Sequence, residues 1–145
     1  MPHRIYIAGP LFSEAEREFN RRLSEFLEGR GYETFLPQRD GDDVHEMLAS
    51  GLSWTETNQR IFDLDMEGLG ECDAVVFVMD GRVPDEGACV EIGYAYGLGI
   101  ECYGLKTDCR AFMGDYDNPM IIGALRNRIA RDREELIRLM EGIEE

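Results

Sequence analysis

The apolar run Ala74-Val75-Val76-Phe77-Val78-Met79 breaks at Asp80-Gly81-Arg82-Val83-Pro84-Asp85-Glu86-Gly87. The chain then resumes as the small-residue stretch Ala88-Cys89-Val90-Glu91-Ile92-Gly93-Tyr94-Ala95. The run has the length and composition of a buried strand, its Gly and Pro successors mark a loop, and the last stretch predicts a helix. Such a unit belongs to a parallel sheet, and its loop lies at the strand's carboxyl end, where open α/β sheets hold ligands. Glu91 falls about one turn into that helix, between Ala88 and Ala95, on a small and apolar face. A surface ion pair is the plain explanation for a carboxylate there, and chemistry beside a cleft is the sharper one.

The rest of the chain repeats the alternation. Arg4 to Ala8 predicts a first strand, stopped by Gly9-Pro10. Ser13 with Glu16 forms a capping box, and Phe19, Leu23, Phe26 and Leu27 follow at helical spacing as far as Gly29. Tyr32 to Pro37 predicts a second strand with an exit loop from Gln38 to Asp43, and the segment from Val44 to Ser53 allows one short helix. A longer helix is expected from Ser53 or Thr55 to Leu69, ending at Gly70. Ile100 to Leu105 predicts a fourth strand, Lys106 to Asn118 a loop, Pro119 to Leu125 a short helix, and Asp132 to Met140 a terminal amphipathic one. Strands alternating with helices imply a flavodoxin-like three-layer α/β/α sandwich on a mostly parallel sheet of four to five strands. Residues 1–145 are expected to form one domain, a length that buries a sizeable core without disulfides or metals.

Composition narrows the partners. The net charge is −15 with a single lysine, Lys106, which argues against nucleic-acid and anionic-membrane binding. No apolar run approaches the roughly 20 residues of a membrane helix, and Met1 to Arg4 is no signal peptide, so a cytoplasmic protein is expected. Cys72, Cys89, Cys102 and Cys109 show no metal-ligand spacing and read as reduced thiols. No dinucleotide fingerprint, P-loop or Gly-x-Ser-x-Gly elbow is present, and His3 and His45 are the only histidines. No cofactor or metal is therefore expected. What remains is a carboxylate-and-tyrosine site drawn from Tyr6, Asp40, Asp85 and Glu91, with Asp65 near the end of its helix. Paired carboxyls suit an anomeric carbon: one ionised group attacks or stabilises an oxocarbenium-like centre, and a protonated one assists the leaving group.

Ile5-Tyr6-Ile7-Ala8-Gly9-Pro10-Leu11-Phe12, followed by Pro84-Asp85-Glu86-Gly87-x-x-x-Glu91-Ile92-Gly93-Tyr94-Ala95, with Asp73 and Asn118-Pro119-Met120, resembles the nucleoside 2-deoxyribosyltransferase family. The match runs from about residue 4 to 125. That resemblance implies transfer of a 2-deoxyribosyl group between nucleobases through a sugar ester on a glutamate. It makes Glu91 the nucleophile, Tyr6 the residue that positions it, and Asp85 the group facing and protonating the departing base. Asp65 matches a second base-side aspartate, and Asn118 a residue that reaches the sugar 5′-hydroxyl in a neighbouring subunit, so a homo-oligomer with shared sites is expected. Gly9, Phe12, Asp40, Gly87 and Met120 are expected to line the substrate site.

The bland roles stay open: Asp85 and Asn118 each cap a predicted helix, and Phe12 and Trp54 offer stacking faces that packing also explains. Some relatives hydrolyse nucleoside 5′-monophosphates and bind the phosphate through serines. Here the first loop offers only Ser13, Asp80 to Gly87 has none, and Asp85-Glu86 repels a phosphate. An unphosphorylated nucleoside is expected. N-glycosidic hydrolysis of a (deoxy)nucleoside or a nucleoside 5′-monophosphate, and a non-catalytic nucleotide-sensing module, are the alternatives.

Overall fold

In the computed structural model, which describes residues 2–114 and 116–143, the apolar runs align as one parallel sheet. Its strands are β1 (Arg4–Ala8), β2 (Glu33–Phe35), β3 (Ala74–Val78), β4 (Glu101–Leu105) and β5 (Ile129–Ala130). Their order is β2-β1-β3-β4-β5, with Tyr6 opposite Phe35 on one side and Val75 on the other. The chain winds outward from β1 in both directions, so the switch point lies between β1 and β3, and doubly wound sheets hold their ligands outside the strand carboxyl ends at such a point.

Strand side chains alternate between faces, and two apolar clusters form as a result. Ile5, Ile7, Val76, Val78 and Leu105 pack under α1 (Glu14–Glu28) and α7 (Arg133–Glu141), against Leu23, Leu27, Leu136 and Ile137. Tyr6, Ala8, Phe35, Val75 and Phe77 face α4 (Trp54–Gly70), α5 (Glu86–Gly97) and α6 (Pro119–Ala124), meeting Leu69, Ile92, Ala95, Ile121 and Leu125. This is the three-layer sandwich expected from the alternation.

The exit of β2 departs from the sequence reading, and two short elements that the reading left open take definite form. The exit of β2 is not a plain loop: Pro37 opens a helical turn, α2 (Pro37–Asp40), and the Asp40 carboxylate reaches back to the Leu36 N–H at 2.8 Å. The ambiguous segment becomes α3 (Val44–Ala49), capped by Asp43. The edge strand β5 has two residues, too few to show an alternation, and exists because Gly104 and Leu105 offer a free edge to Ile129 and Ala130. The apolar group near the carboxyl end is split: Ile121 and Leu125 are core, and Met120 is exposed.

Candidate active site

Tyr6 is fully buried, and its ring stacks on Phe35 with centroids 5.3 Å apart and planes 8° from parallel. Strand alternation turns its hydroxyl to the α4–α5 side of the sheet. There Asp65 on α4 and Glu91 on α5 converge on it: the Asp65 charge acts on both Tyr6 and Glu91, and these two act on each other. Burial pushes the Glu91 carboxyl up to about 8, with the charges of Asp65 and Asp85 adding to it. The Tyr6 hydroxyl acts the other way, as a donor facing a carboxylate does. Burial also raises Asp65, to about 6. Tyr6 is raised by burial and then by the Glu91 and Asp65 charges.

Tyr6 and Glu91 face each other without closing a well-formed bond: among the described residues, Tyr6 Oη and Glu91 Oε2 are both buried and have no hydrogen-bond partner. An unpaired buried polar atom costs about 1–3 kcal/mol. Here two of them lie on adjoining side chains at the sheet switch point.

Two neighbouring loops are held rigidly. Asp85 caps α5, its Oδ2 accepting the Ala88 N–H at 2.8 Å, which leaves the other oxygen free. Asp80 accepts the N–H groups of Thr107 and Asp108 at 2.7 and 3.1 Å, and Asp108 accepts that of Gly81 at 2.9 Å. Gly81 has φ +133°, a conformation other residues rarely adopt, so the loop turns there. On the first loop, buried Asn20 donates from Nδ2 to the Pro10 carbonyl at 2.9 Å and to Gln38 at 3.3 Å. Gly9 lets this loop leave the sheet, since a Cβ there would lie 2.8 Å from that of Val78.

The structure brings Tyr6, Asp65, Asp85 and Glu91 together, with Gly9 on the adjoining first loop and Gly87 in the first turn of α5. Phe12, on the first loop, is exposed. Asp40 is engaged elsewhere, by the Leu36 N–H and the Arg39 guanidinium at 2.9 Å; its neighbour Gly41 is the one against Asp65 Oδ1. Asn118 caps α6 through its Oδ1 at 2.9 Å from the Met120 N–H. Met120 lies on the α6 side of α5, with Cys89, Ile92, Gly93 and Tyr96 in an apolar groove of about 460 Å³. Within one chain neither joins the Glu91 cluster. Sequence reading missed Phe35, Asn20 and Gly68; a glycine inside a helical pattern was the available signal for the last.

The model of the nucleoside 2-deoxyribosyltransferase family matches residues 5–140, and the chain belongs to that family. Membership marks it as an enzyme of the deoxyribosyltransferase type, in a family that acts on nucleosides and nucleobases. No curated protein matches it. Among solved structures, a conserved protein from Enterococcus faecalis is similar at 26% identity and TM-score 0.80, with 98% of this chain and 99% of that one covered. The 2-deoxyribosyltransferase of Bacillus psychrosaccharolyticus shares the fold at 23% identity and TM-score 0.72, covering 92% and 89%. A CMP N-glycosidase of Clostridium botulinum shares it at 22% identity and TM-score 0.57, covering 95% and 97%.

Proposed function

We propose that the protein transfers 2-deoxyribose between nucleobases through a glycosyl ester on Glu91. The observation that carries this reading is the buried Glu91 carboxyl beside Tyr6, each with an oxygen lacking a partner. An ionised Glu91 oxygen attacks C1′ as the bond from C1′ to the base nitrogen breaks, and the base leaves with the bonding pair. Asp85 supplies the proton that makes the base a neutral leaving group, worth roughly 10²–10⁴ in rate. Asp65, raised to about 6 on the same side of the cleft, is the second base-side carboxyl and keeps a fraction of its protons near neutral pH. A second base then attacks C1′, displaces the Glu91 carboxylate and returns the proton. Tyr6 orients the attacking oxygen. A 2′-hydroxyl would crowd the carboxylate near Tyr6, which favours deoxyribose.

Three features support an unphosphorylated substrate: the site is acidic, Asp80 to Gly87 contains no serine, and Glu86 flanks Asp85. Asn118 and Met120 lie apart from their own chain's Glu91, and Met120 is 82% exposed, which fits a site completed by a second copy. Light scattering is then expected to show a dimer or larger, and a fully active monomer at assay concentration contradicts it.

The direct assay is product analysis with deoxyinosine or thymidine, with and without excess adenine or cytosine. Transfer yields a new deoxynucleoside. Free base and free sugar alone, or hydrolysis confined to 5′-monophosphates, assigns the protein to the N-glycosidase branch instead. The polar α2 segment beside the base side leaves a route for water, so this outcome is the one to look for.

A further inference from the structure

Gly68 sits in the last turn of α4, one turn after Asp65 and on the same face of the helix. It is buried directly against Phe35: a Cβ at position 68 would lie 2.5, 2.6 and 2.9 Å from three atoms of that ring. These distances are far inside van der Waals contact, so any side chain there displaces either the helix or the ring. The ring cannot retreat freely, because it is itself stacked on the buried Tyr6 ring at 5.3 Å, 8° from parallel. Gly68, Phe35 and Tyr6 thus form one rigid stack running from α4 into the sheet, and Asp65 rides on the helix that the stack positions.

We infer that Gly68 and Phe35 are positioning residues: their contact sets the depth of α4 and the tilt of Tyr6, and so places the Asp65 carboxyl and the Tyr6 hydroxyl against Glu91. The groups that face Glu91 are Tyr6 from β1, Asp65 from α4 and Asp85 from the loop before α5, with Cys72 near Tyr6. Two of these, Tyr6 and Asp65, are placed by the stack. A smaller ring-side residue opposite an added methyl refills the same space, so the two positions are coupled by volume.

The inference rests on reading Glu91 as the nucleophile, so the test uses two readouts. The first is turnover of a deoxynucleoside with a free base. Gly68→Ala is expected to lower kcat by about tenfold to a hundredfold, as a misplacement near 1 Å does, with a smaller change in KM. Phe35→Leu lowers kcat by loosening Tyr6, and the double variant Gly68→Ala/Phe35→Leu turns over faster than Gly68→Ala alone. The second readout is the carboxyl NMR titration of Glu91, identified by its loss in Glu91→Gln. Its midpoint is expected to fall in Gly68→Ala as Asp65 recedes and water enters. Folded Gly68→Ala with unchanged kcat and unchanged midpoint overturns the inference, as does a double variant whose loss is the product of the single losses. If Gly68→Ala does not fold, Phe35→Leu decides, and unchanged kcat in it overturns the inference. A shifted midpoint in a protein that turns over no nucleoside upholds the positioning and rejects the functional reading.

Discussion

A carboxyl held at about 8 keeps its proton through most of the neutral range, whereas an exposed glutamate near 4.5 has lost it. Between these values the unfolded chain releases the Glu91 proton and the folded chain does not. Folded-state stability from this residue is therefore full below about 4.5, declines as pH rises, and is lost above about 8. Glu91→Gln removes the titration. Its stability relative to the parent is expected to grow by about 2 kcal/mol or more between pH 5 and pH 8.5, read by urea denaturation. A constant difference across that range contradicts the burial of Glu91. The same group governs activity. Attack needs the ionised form, so kcat/KM is expected to rise with pH on a limb set by Glu91. Asp65→Asn removes a like charge and moves that limb to lower pH. A limb unmoved by Asp65→Asn separates the two carboxyls.

At the scale of elements, α4 matters most because it carries both Asp65 and Gly68. Its start is fixed by a capping box in which Ser53 and Glu56 each satisfy the other's backbone N–H. Ser53→Ala is expected to cost about 1 kcal/mol of stability while leaving kcat nearly unchanged, since the cap lies three turns from Asp65. A second internal fastening is the ion pair of Lys106, 3% exposed, with Asp117 at 2.5 Å, which closes the loop ahead of α6. Lys106→Ala leaves the partly buried Asp117 carboxylate alone and is expected to cost about 2–4 kcal/mol in thermal or urea unfolding, below the full buried-pair range.

The capping box of α1 and the start of α4 near Ser53 were legible in the sequence, as was β3, because each depends on residues adjacent along the chain; the Ser53–Glu56 box itself was not read. The Tyr6 and Glu91 positions were legible through the same strand–loop–helix logic and the family motif. The turn of α2 depends on a side chain folding back from Asp40, and β5 on an edge provided by a distant strand; neither leaves a local pattern. The Phe35–Gly68 contact joins residues that meet only once the sheet and α4 are assembled.

Over the whole molecule, thirty acidic residues face fifteen basic ones, and the surface ion pairs, such as Arg21 with Glu18 and Glu25, are exposed and individually weak. Net self-repulsion opposes the compact state and is screened within about 10 Å at 0.1 M salt. The melting temperature is expected to rise between low salt and about 0.5 M sodium chloride. An unchanged or falling value means that the charges are already balanced locally.

The central claim is a covalent sugar on Glu91, and the measurement that tests it most directly is peptide mass mapping after rapid quenching with a deoxynucleoside in the absence of acceptor base. One added deoxyribosyl mass is expected on the peptide that contains Glu91, absent in Glu91→Gln and discharged by free base into a new deoxynucleoside. Turnover without an adduct, or an adduct on another residue, contradicts it.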